Sequence, residues 1–327
     1  MTAARIRWGI AGPGWIGHQM AEALHTLPDA EVVAVGSRSL DRAQAFAARH
    51  GIERAHGSYD ALFADDGVDV VYLAGPHSTH RDHAVAALAA GRHVVCEKAF
   101  ALDAAQAREM AEAAHRAERL LMEAMWTWFL PPIIEIRRRI AAGEIGRLRA
   151  LRADFAISVA GDEGRHRNAN LGGGALLDLG VYPVSLGYVL LGPVRRVAAL
   201  GEIGTTGVDT NVGAVLEHDD GALTVLYTGL DAPSAMGAEI IGTKGLIRLD
   251  PPFWCTQSFV VDHHDGRPER IEMAHGGLAH EAAHAMDRIR AGAIESDVIT
   301  LADSIAVMEV LDELRSQVAS DPAGSPG

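Results

Sequence analysis

Over the first hundred positions, apolar residues come in short β-branched runs: residues 5–11 (RIRWGIA), 31–35 (EVVAV), 68–74 (VDVVYLA) and 93–96 (HVVC). Continuous runs of this length predict strands buried on both faces, as in a parallel sheet. Between them lie alanine-rich stretches of helical character at 15–26, 41–50 and 80–90, the last ending at Gly91 with Arg92 beside it, as helix C-termini prefer. Strand and helix alternate, which predicts a doubly wound parallel sheet. The texture changes after about Leu120: WTWFLPP, residues 126–132, breaks the alternation, and a helix over 133–142 and a strand over 147–158 follow. From 194 to about 271, the strand-like segments GAVLEH, ALTVLYTGL, AEIIGT and GLIRLD are parted by turns such as Asp219-Asp220-Gly221 and Thr243-Lys244-Gly245. That spacing predicts a large open, mostly antiparallel sheet. Amphipathic helices at 278–291 and 300–318 close the pattern. The expected class is α/β, with an N-terminal domain over 1–123, a C-terminal α+β domain over 124–318 and a flexible tail at 319–327.

Composition narrows the partners. A chain of 327 residues is longer than one α/β unit usually needs, which agrees with two domains. A formal charge of -14 argues against nucleic acid, whose binding rests on neutralising phosphates. It does not exclude an anionic cofactor, which a helix N-terminus and a placed arginine can hold locally. The two cysteines, Cys96 and Cys255, sit in apolar or aromatic stretches with no zinc or disulfide spacing, and are expected as buried free thiols. The amino terminus passes straight into a strand pattern, and no run is expected to reach the roughly 18 apolar residues of a membrane span, so the cytoplasm is the expected location.

Candidate chemistry begins at Gly12-Pro13-Gly14-Trp15-Ile16-Gly17, a G-x-G-x-x-G after the first predicted strand and opening a predicted helix. Its glycines allow a tight turn and a close approach of a pyrophosphate to backbone N–H groups, so Gly12, Gly14, Trp15, Ile16 and Gly17 are expected to bind a dinucleotide in a Rossmann domain. The second strand ends in Gly36-Ser37-Arg38-Ser39 rather than the acid that prefers NAD. Ser37 and Arg38 suit a ribose 2′-phosphate, so NADP is expected; a solvated turn with dual use would admit NAD. Two further clusters follow: Cys96-Glu97-Lys98-Ala99-Phe100 after the predicted fourth strand, and Gly172-Gly173-Gly174 leading through Asp178 and Gly180 to Tyr182. A lysine at that sheet edge reaches a ligand there and lowers the pKa of a nearby acid or phenol. If helical, Asp178 and Tyr182 share a face, with Pro183 able to kink it.

In this order, with Ala74-Gly75-Pro76-His77-Ser78-Thr79-His80 after the third run, these motifs resemble the glucose-fructose oxidoreductase and inositol dehydrogenase (Gfo/Idh/MocA) family over residues 5–315. Met122-Glu123-Ala124-Met125-Trp126-Thr127 and GGGALLDLGVYPV look most like its dimeric dihydrodiol dehydrogenases and NADP-dependent aldose (xylose-type) dehydrogenases. The resemblance implies an oxidoreductase moving a hydride between nicotinamide and a CH–OH group of a sugar, polyol or diol. It implies that Lys98 and Tyr182 share the proton chemistry, that Asp178 orients the substrate, and that Pro76, His77, His80, Glu97 and Lys98 lie by the cofactor. It further implies a homodimer or homotetramer paired through the C-terminal sheet. Two positions depart from the family pattern: Ala99 replaces the proline usual after Glu-Lys, which is commonly cis, and Trp128 stands where the diol and aldose enzymes often carry arginine. An NADPH-dependent reductase of a keto-sugar or dicarbonyl uses the same machinery reversed; a non-catalytic NADP-sensing regulator is the reading from another class. His280-Glu281 reads either as a segment matching sugar dehydrogenases or as a helix-start acid favoured by the dipole. His263-His264 reads as a polar turn, and no metal site is expected.

Overall fold

A computed structural model describes residues 5–161, 164–264 and 266–320. The early apolar runs become parallel strands because every side chain on them has a covered face. The strands are β1 (Ile6–Ala11), β2 (Ala30–Gly36), β3 (Arg54–His56), β4 (Val70–Leu73), β5 (His93–Glu97) and β6 (Leu121–Ala124), in the order β3-β2-β1-β4-β5-β6. Trp8, Ile10, Val70, Val71, Val94 and Val95 have no exposed surface. Helices α1 (Trp15–His25), α2 (Leu40–His50), α3 (Tyr59–Phe63), α4 (His80–Ala89) and α5 (Ala104–Ala117) make the crossovers. Side chains stop three of them at their first turn: Ser39, Ser58 and Asp103 accept from the N–H groups of Arg42, Ala61 and Gln106. Each cap contributes about 1 kcal/mol. β3 lies outside the sequence expectation, since Arg-Ala-His carries no apolar pattern and all three residues are half-buried. The strand order reverses between β1 and β4, so the loops after β1, β4 and β5 emerge where doubly wound sheets bind ligands.

The second sheet holds β7 (Leu148–Ala156), β8 (Val194–Ile203), β9 (Asp209–His218), β10 (Leu223–Gly229), β11 (Ala238–Gly242), β12 (Gly245–Leu249), β13 (Ser258–His263) and β14 (Glu269–Glu272), in the order β14-β13-β12-β11-β7-β10-β9-β8. Among the described residues only the β7–β10 pairing of this sheet is parallel. Its strands alternate, with one set of side chains buried, α7 (Val181–Leu191) packing on β7 and β10, and the other set exposed; α6 (Pro131–Ala141) precedes β7. The exposed set is partly apolar: Leu200, Val215, Leu223, Val225 and Tyr227. The α/β class with a parallel sheet followed by a mostly antiparallel one is as the pattern predicts.

The chain divides into two units, one ending at Trp126 and taking in Gly276–Ile305, the other formed by Thr127–His275 and the residues from Ala306 on. A boundary at 123/124 with everything later in one domain therefore differs from the observed division. The reason is packing: α8 (Ala279–Arg290) lies in the first unit, where Arg290 pairs with Asp29 at 2.5 Å and Leu121 N–H donates to the Ile294 carbonyl at 3.0 Å. The final helix, α9 (Leu301–Ser320), is tied near its end to β8 by Gln317, which accepts from Ala199 N–H at 2.9 Å. It carries helix through Ser320, two residues into the expected tail; residues 321–327 lie outside the described residues.

One composition-based expectation is corrected. The stretch Ala169–Leu191 spans 23 residues with a mean hydropathy of 1.5, long and apolar enough to meet the length criterion for a membrane span. Its windowed residues are 89% buried inside the protein, so the apolar surface is spent on the core around α7. Both cysteines are free; Cys96 is buried, whereas Cys255 is only half-buried.

Candidate active site

The glycine loop separates into positions the chain itself requires and one it does not. Gly12 leaves β1 at φ +115°, and a Cβ there would stand 3.0 Å from the Ala74 carbonyl oxygen. At Gly17 a Cβ would stand 2.5 Å from the Gly12 oxygen, closer than backbone can tolerate. Gly14 is extended, caps α1 without any side-chain hydrogen bond, and would meet nothing within 4 Å. The first turn of α1 thus presents orphan N–H groups and the positive end of its dipole to open space. Trp15 is exposed beside it and Ile16 half-buried. At the end of β2, Ser37 is buried with its hydroxyl accepting from Ser39 N–H at 3.2 Å. Arg38 is exposed and makes no ion pair among the described residues. This set fits a dinucleotide carrying a 2′-phosphate: an uncapped helix for the pyrophosphate, a hydroxyl and a guanidinium for the extra phosphate.

The loops after β4 and β5 are held together by His80. Its ring is 1% exposed, with Nδ1 2.9 Å from the Ala99 carbonyl and Nε2 3.1 Å from the Gly75 carbonyl. Burial pushes its pKa down to about 4; the neutral ring has a single N–H, which donates to one of the two carbonyls while the other nitrogen only lies against its neighbour, and the ring fills the space between the Gly75-Pro76 turn and the loop carrying Lys98. It sits in the loop expected to lie by the cofactor, with its own ring nitrogens facing backbone carbonyls. His77 is also buried, its ring edge-on to His80 at 5.6 Å. Lys98 is half-buried, and its backbone N–H donates to Glu97 at 3.1 Å. Tyr72, from β4, donates its phenol to the other oxygen of Glu97. The Lys98–Ala99 peptide is cis, the geometry expected of proline here, with alanine in its place.

Two further carboxyl groups lie buried in this unit, and neither entered the expected site as a functional group. Glu123, on β6, has one oxygen without a hydrogen-bond partner among the described residues; burial, with Glu97 nearby, pushes its pKa up to about 7. Glu281, on α8, has no exposed surface and, among the described residues, no hydrogen-bond partner for either oxygen, and burial holds it well above the usual carboxylate range. Glu281 is in the first turn of α8, as a helix-start acid would be, but it is buried there. The signal for Glu123 was available, since a lone acid within the apolar run LMEAM has no route to solvent from a central position. Among the described residues no group of three or more His, Cys, Asp or Glu side chains could hold a metal ion.

In the second unit, Leu176–Gly180 forms a π turn running directly into α7. Pro183 has no N–H to give four residues back, and the backbone widens just ahead of it. Such turns recur at functional sites. Asp178, on this turn, is 2% exposed and spends its carboxylate on protein: one oxygen meets His166 Nδ1, the other Arg165 at 3.2 Å. Its carboxylate thereby ties the turn bearing Arg165 and His166 to the π turn. His166 and Arg165 were missed because their backbone lies in short 3-10 turns with no periodicity to mark them. Tyr182 is 8% exposed, and its ring adjoins Phe155 and Trp254, which stack on each other at 3.5 Å. Trp128 is a core residue: its indole N–H donates to Ser185 at 2.6 Å and its ring stacks on Tyr188.

A glycine loop at the switch point of a doubly wound parallel sheet is the geometry of a nucleotide-binding domain. Comparison with known proteins agrees: residues 6–125 match the model for an oxidoreductase family with an NAD-binding Rossmann fold, and residues 133–248 match a GFO/IDH/MocA C-terminal domain. The chain belongs to the GFO/IDH/MocA oxidoreductase family. It is 35% identical over 324 residues to the trans-1,2-dihydrobenzene-1,2-diol dehydrogenase of Homo sapiens, covering 96% of this chain and 97% of that one. The enzyme of the same name from Xenopus tropicalis is 34% identical, with 95% and 98% covered. Among solved structures, KijD10, a 3-ketoreductase from Actinomadura kijaniata in complex with NADP and TDP-benzene, superposes with a TM-score of 0.88 at 28% identity, covering 96% and 98%. The chain is a hydride-transferring NAD(P)-dependent dehydrogenase, and the reading as a non-catalytic sensor falls away.

Proposed function

We propose that the chain uses NADP to oxidise a CH–OH group of a diol, sugar or polyol. The observation that carries the reading is Lys98, held by Glu97 and the His80-pinned loop at the carboxyl end of β5, next to the strand-order reversal. NADP is supported by exposed Arg38 and buried Ser37 at the end of β2, and KijD10 is described in complex with that cofactor. When bound, the nicotinamide accepts the hydride from the carbon being oxidised. The protein's part is to hold the hydroxyl and take its proton: Lys98 lowers the pKa of the phenol or alcohol, and Tyr182 passes the proton on. His80 and Asp178 keep the neighbouring loops in place. The stacked Phe155–Trp254 pair beside Tyr182 offers a flat apolar wall, which favours a ring-shaped diol of the kind named for the vertebrate relatives.

The reverse direction, reduction of a keto-sugar, is favoured by one specific likeness, that to the 3-ketoreductase KijD10. The exposed apolar face of the second sheet supports pairing of two copies: Val225 lies directly opposite Val215, while Leu200 and Tyr227 flank Gly213. A reducing, cytoplasmic setting fits the two free cysteines.

The test is a panel of aldoses, inositols and trans-diols with NADP and NAD, following reduced nicotinamide optically. Turnover is expected with at least one diol or sugar, and Lys98→Met should lower kcat by roughly 100- to 10,000-fold, the range of general acid–base catalysis. Unchanged turnover in that variant would remove Lys98 from the chemistry.

A further inference from the structure

Three carboxyl groups gather in the first unit. Glu97 ends β5, Glu123 stands on β6 directly across from Cys96, and Glu281 lies in the first turn of α8. They are 7%, 2% and 0% exposed. Glu97 uses its oxygens as acceptors, for the Tyr72 phenol and the Lys98 N–H, and it is the charge that the other two feel. Glu281 has no hydrogen-bond partner among the described residues for either oxygen, and its carboxyl lies in the field of both Glu97 and Glu123. Around Glu123, the charge of Glu97 opposes ionisation, while Lys98, the Ser304 hydroxyl and the Phe100 N–H favour it; Cys96 and Glu281 are its other titratable neighbours. Burying acids whose oxygens go unmet is costly. Holding the Lys98 loop does not require it, since Glu97 already binds that loop and His80 packs against it.

The order of the sheet says which end of a dinucleotide these acids serve. With the pyrophosphate at the α1 N-terminus after β1 and the 2′-phosphate at Ser37 and Arg38 after β2, a dinucleotide laid across the carboxyl ends of the strands extends its other half over β4 and β5. That half ends in nicotinamide, a cation when oxidised and neutral when reduced. We propose that this buried acid cluster is a proton-exchanging counter-charge for the nicotinamide: Glu123 gives up its proton when the cationic ring is bound and takes one back when the ring is neutral. This rests on the NADP reading above. Charge balances in both states, because up to one proton leaves for the one positive charge brought in. When an alcohol is oxidised, the proton lost by its hydroxyl is matched by one taken up at Glu123. Such exchange needs a group poised near neutrality: Glu123 titrates at about 7, whereas Glu281 is held well above the usual carboxylate range and keeps its proton.

Isothermal titration calorimetry of the full chain at pH 7, in two buffers of different ionisation enthalpy, counts the protons exchanged when NADP or NADPH binds. Both carry the same 2′-phosphate, so its titration cancels in the difference. Wild type should release up to roughly half a proton more with NADP than with NADPH, since a group titrating at about 7 is half protonated there. From pH 6 to 8 the ratio of the two dissociation constants should move roughly 5-fold in favour of NADP, as a shift of one pKa unit at Glu123 requires. Glu123→Gln should abolish the difference and flatten the ratio while both cofactors still bind; Glu281→Gln should keep both. In infrared difference spectra, NADP should bleach a protonated-carboxyl stretch that NADPH leaves in place, and Glu123→Gln should lack that band. Equal proton counts for the two cofactors in wild type overturn the proposal whatever the variants do, and a difference that survives Glu123→Gln removes Glu123 from it. Equal counts with turnover of a diol or sugar leave the dehydrogenase reading standing. Unequal counts without turnover of any substrate do the opposite, and failure of either cofactor to bind overturns both.

Discussion

Replacing Glu123 by glutamine should stabilise the protein, and only above mid-acid pH. In the unfolded chain this carboxyl titrates near its ordinary value of 4.5; in the folded protein burial, with Glu97 nearby, moves it up to about 7. A folded pKa above the unfolded one means that the native state holds the proton more tightly. Stability is therefore greatest at pH 4.5 and below and is lost as pH rises to about 7, because above that a buried carboxylate must be charged. The difference between the two values corresponds to about 3 kcal/mol at 1.36 kcal/mol per pKa unit, available in full above pH 7. Glu123→Gln keeps the shape and removes the charge. At roughly 2–4 °C per kcal/mol, the variant should melt roughly 6–12 °C above wild type at pH 8. At pH 4.5 the two should coincide. Differential scanning calorimetry of both proteins at four pH values between 4.5 and 8 measures the gap. A gap of the same size at both ends, or a variant less stable at pH 8, would refute the reasoning, since either result means the folded protein does not keep Glu123 protonated.

Two further outcomes follow from exposed groups. Arg38→Ala should raise the KM for NADP roughly 10- to 100-fold while changing that for NAD by less than about 3-fold, because a charge-assisted hydrogen bond to phosphate is lost only with the former; equal effects on the two cofactors, read in initial rates, would remove Arg38 from phosphate recognition. Leu200→Asp with Val225→Asp should convert a dimer in wild type to a monomer by sedimentation, as two charges enter the centre of the apolar sheet face; an unchanged mass would move the pairing surface elsewhere.

The sequence was most informative where one periodicity held for a whole element. The runs at 5–11, 31–35, 68–74 and 93–96 became β1, β2, β4 and β5 because strands covered on both faces have no polar positions to confuse the pattern. β3 was illegible because three half-buried residues at a sheet edge need no apolar alternation. The second division of the chain was legible only as a change of texture. Helix α8 follows the antiparallel strands in sequence yet packs with the first unit, a long-range choice made by contacts such as Arg290 with Asp29 that no local window contains. The same limit hid the contact of His166 with Asp178, twelve residues on across a glycine turn.

The expected site residues also sort by a rule the sequence could not supply. His80 and Asp178 were singled out because titratable groups near a glycine loop or a conspicuous tyrosine invite chemical roles. In the folded protein both are almost fully buried, and their polar atoms are occupied by the Gly75 and Ala99 carbonyls and by His166 and Arg165. A group whose polar atoms are met inside the protein holds position. Arg38 is exposed and makes no ion pair among the described residues, the Nε2 of His166 meets no protein partner there, and the helix start at Gly14 lacks any side-chain cap. Leaving a donor or acceptor unmet costs stability when it is buried and little when it is open, so such groups persist cheaply only at a surface that meets something else. On the proposed reading, Arg38 and the α1 N-terminus are the groups left to meet a nucleotide, while His80 and Asp178 hold the turns around them.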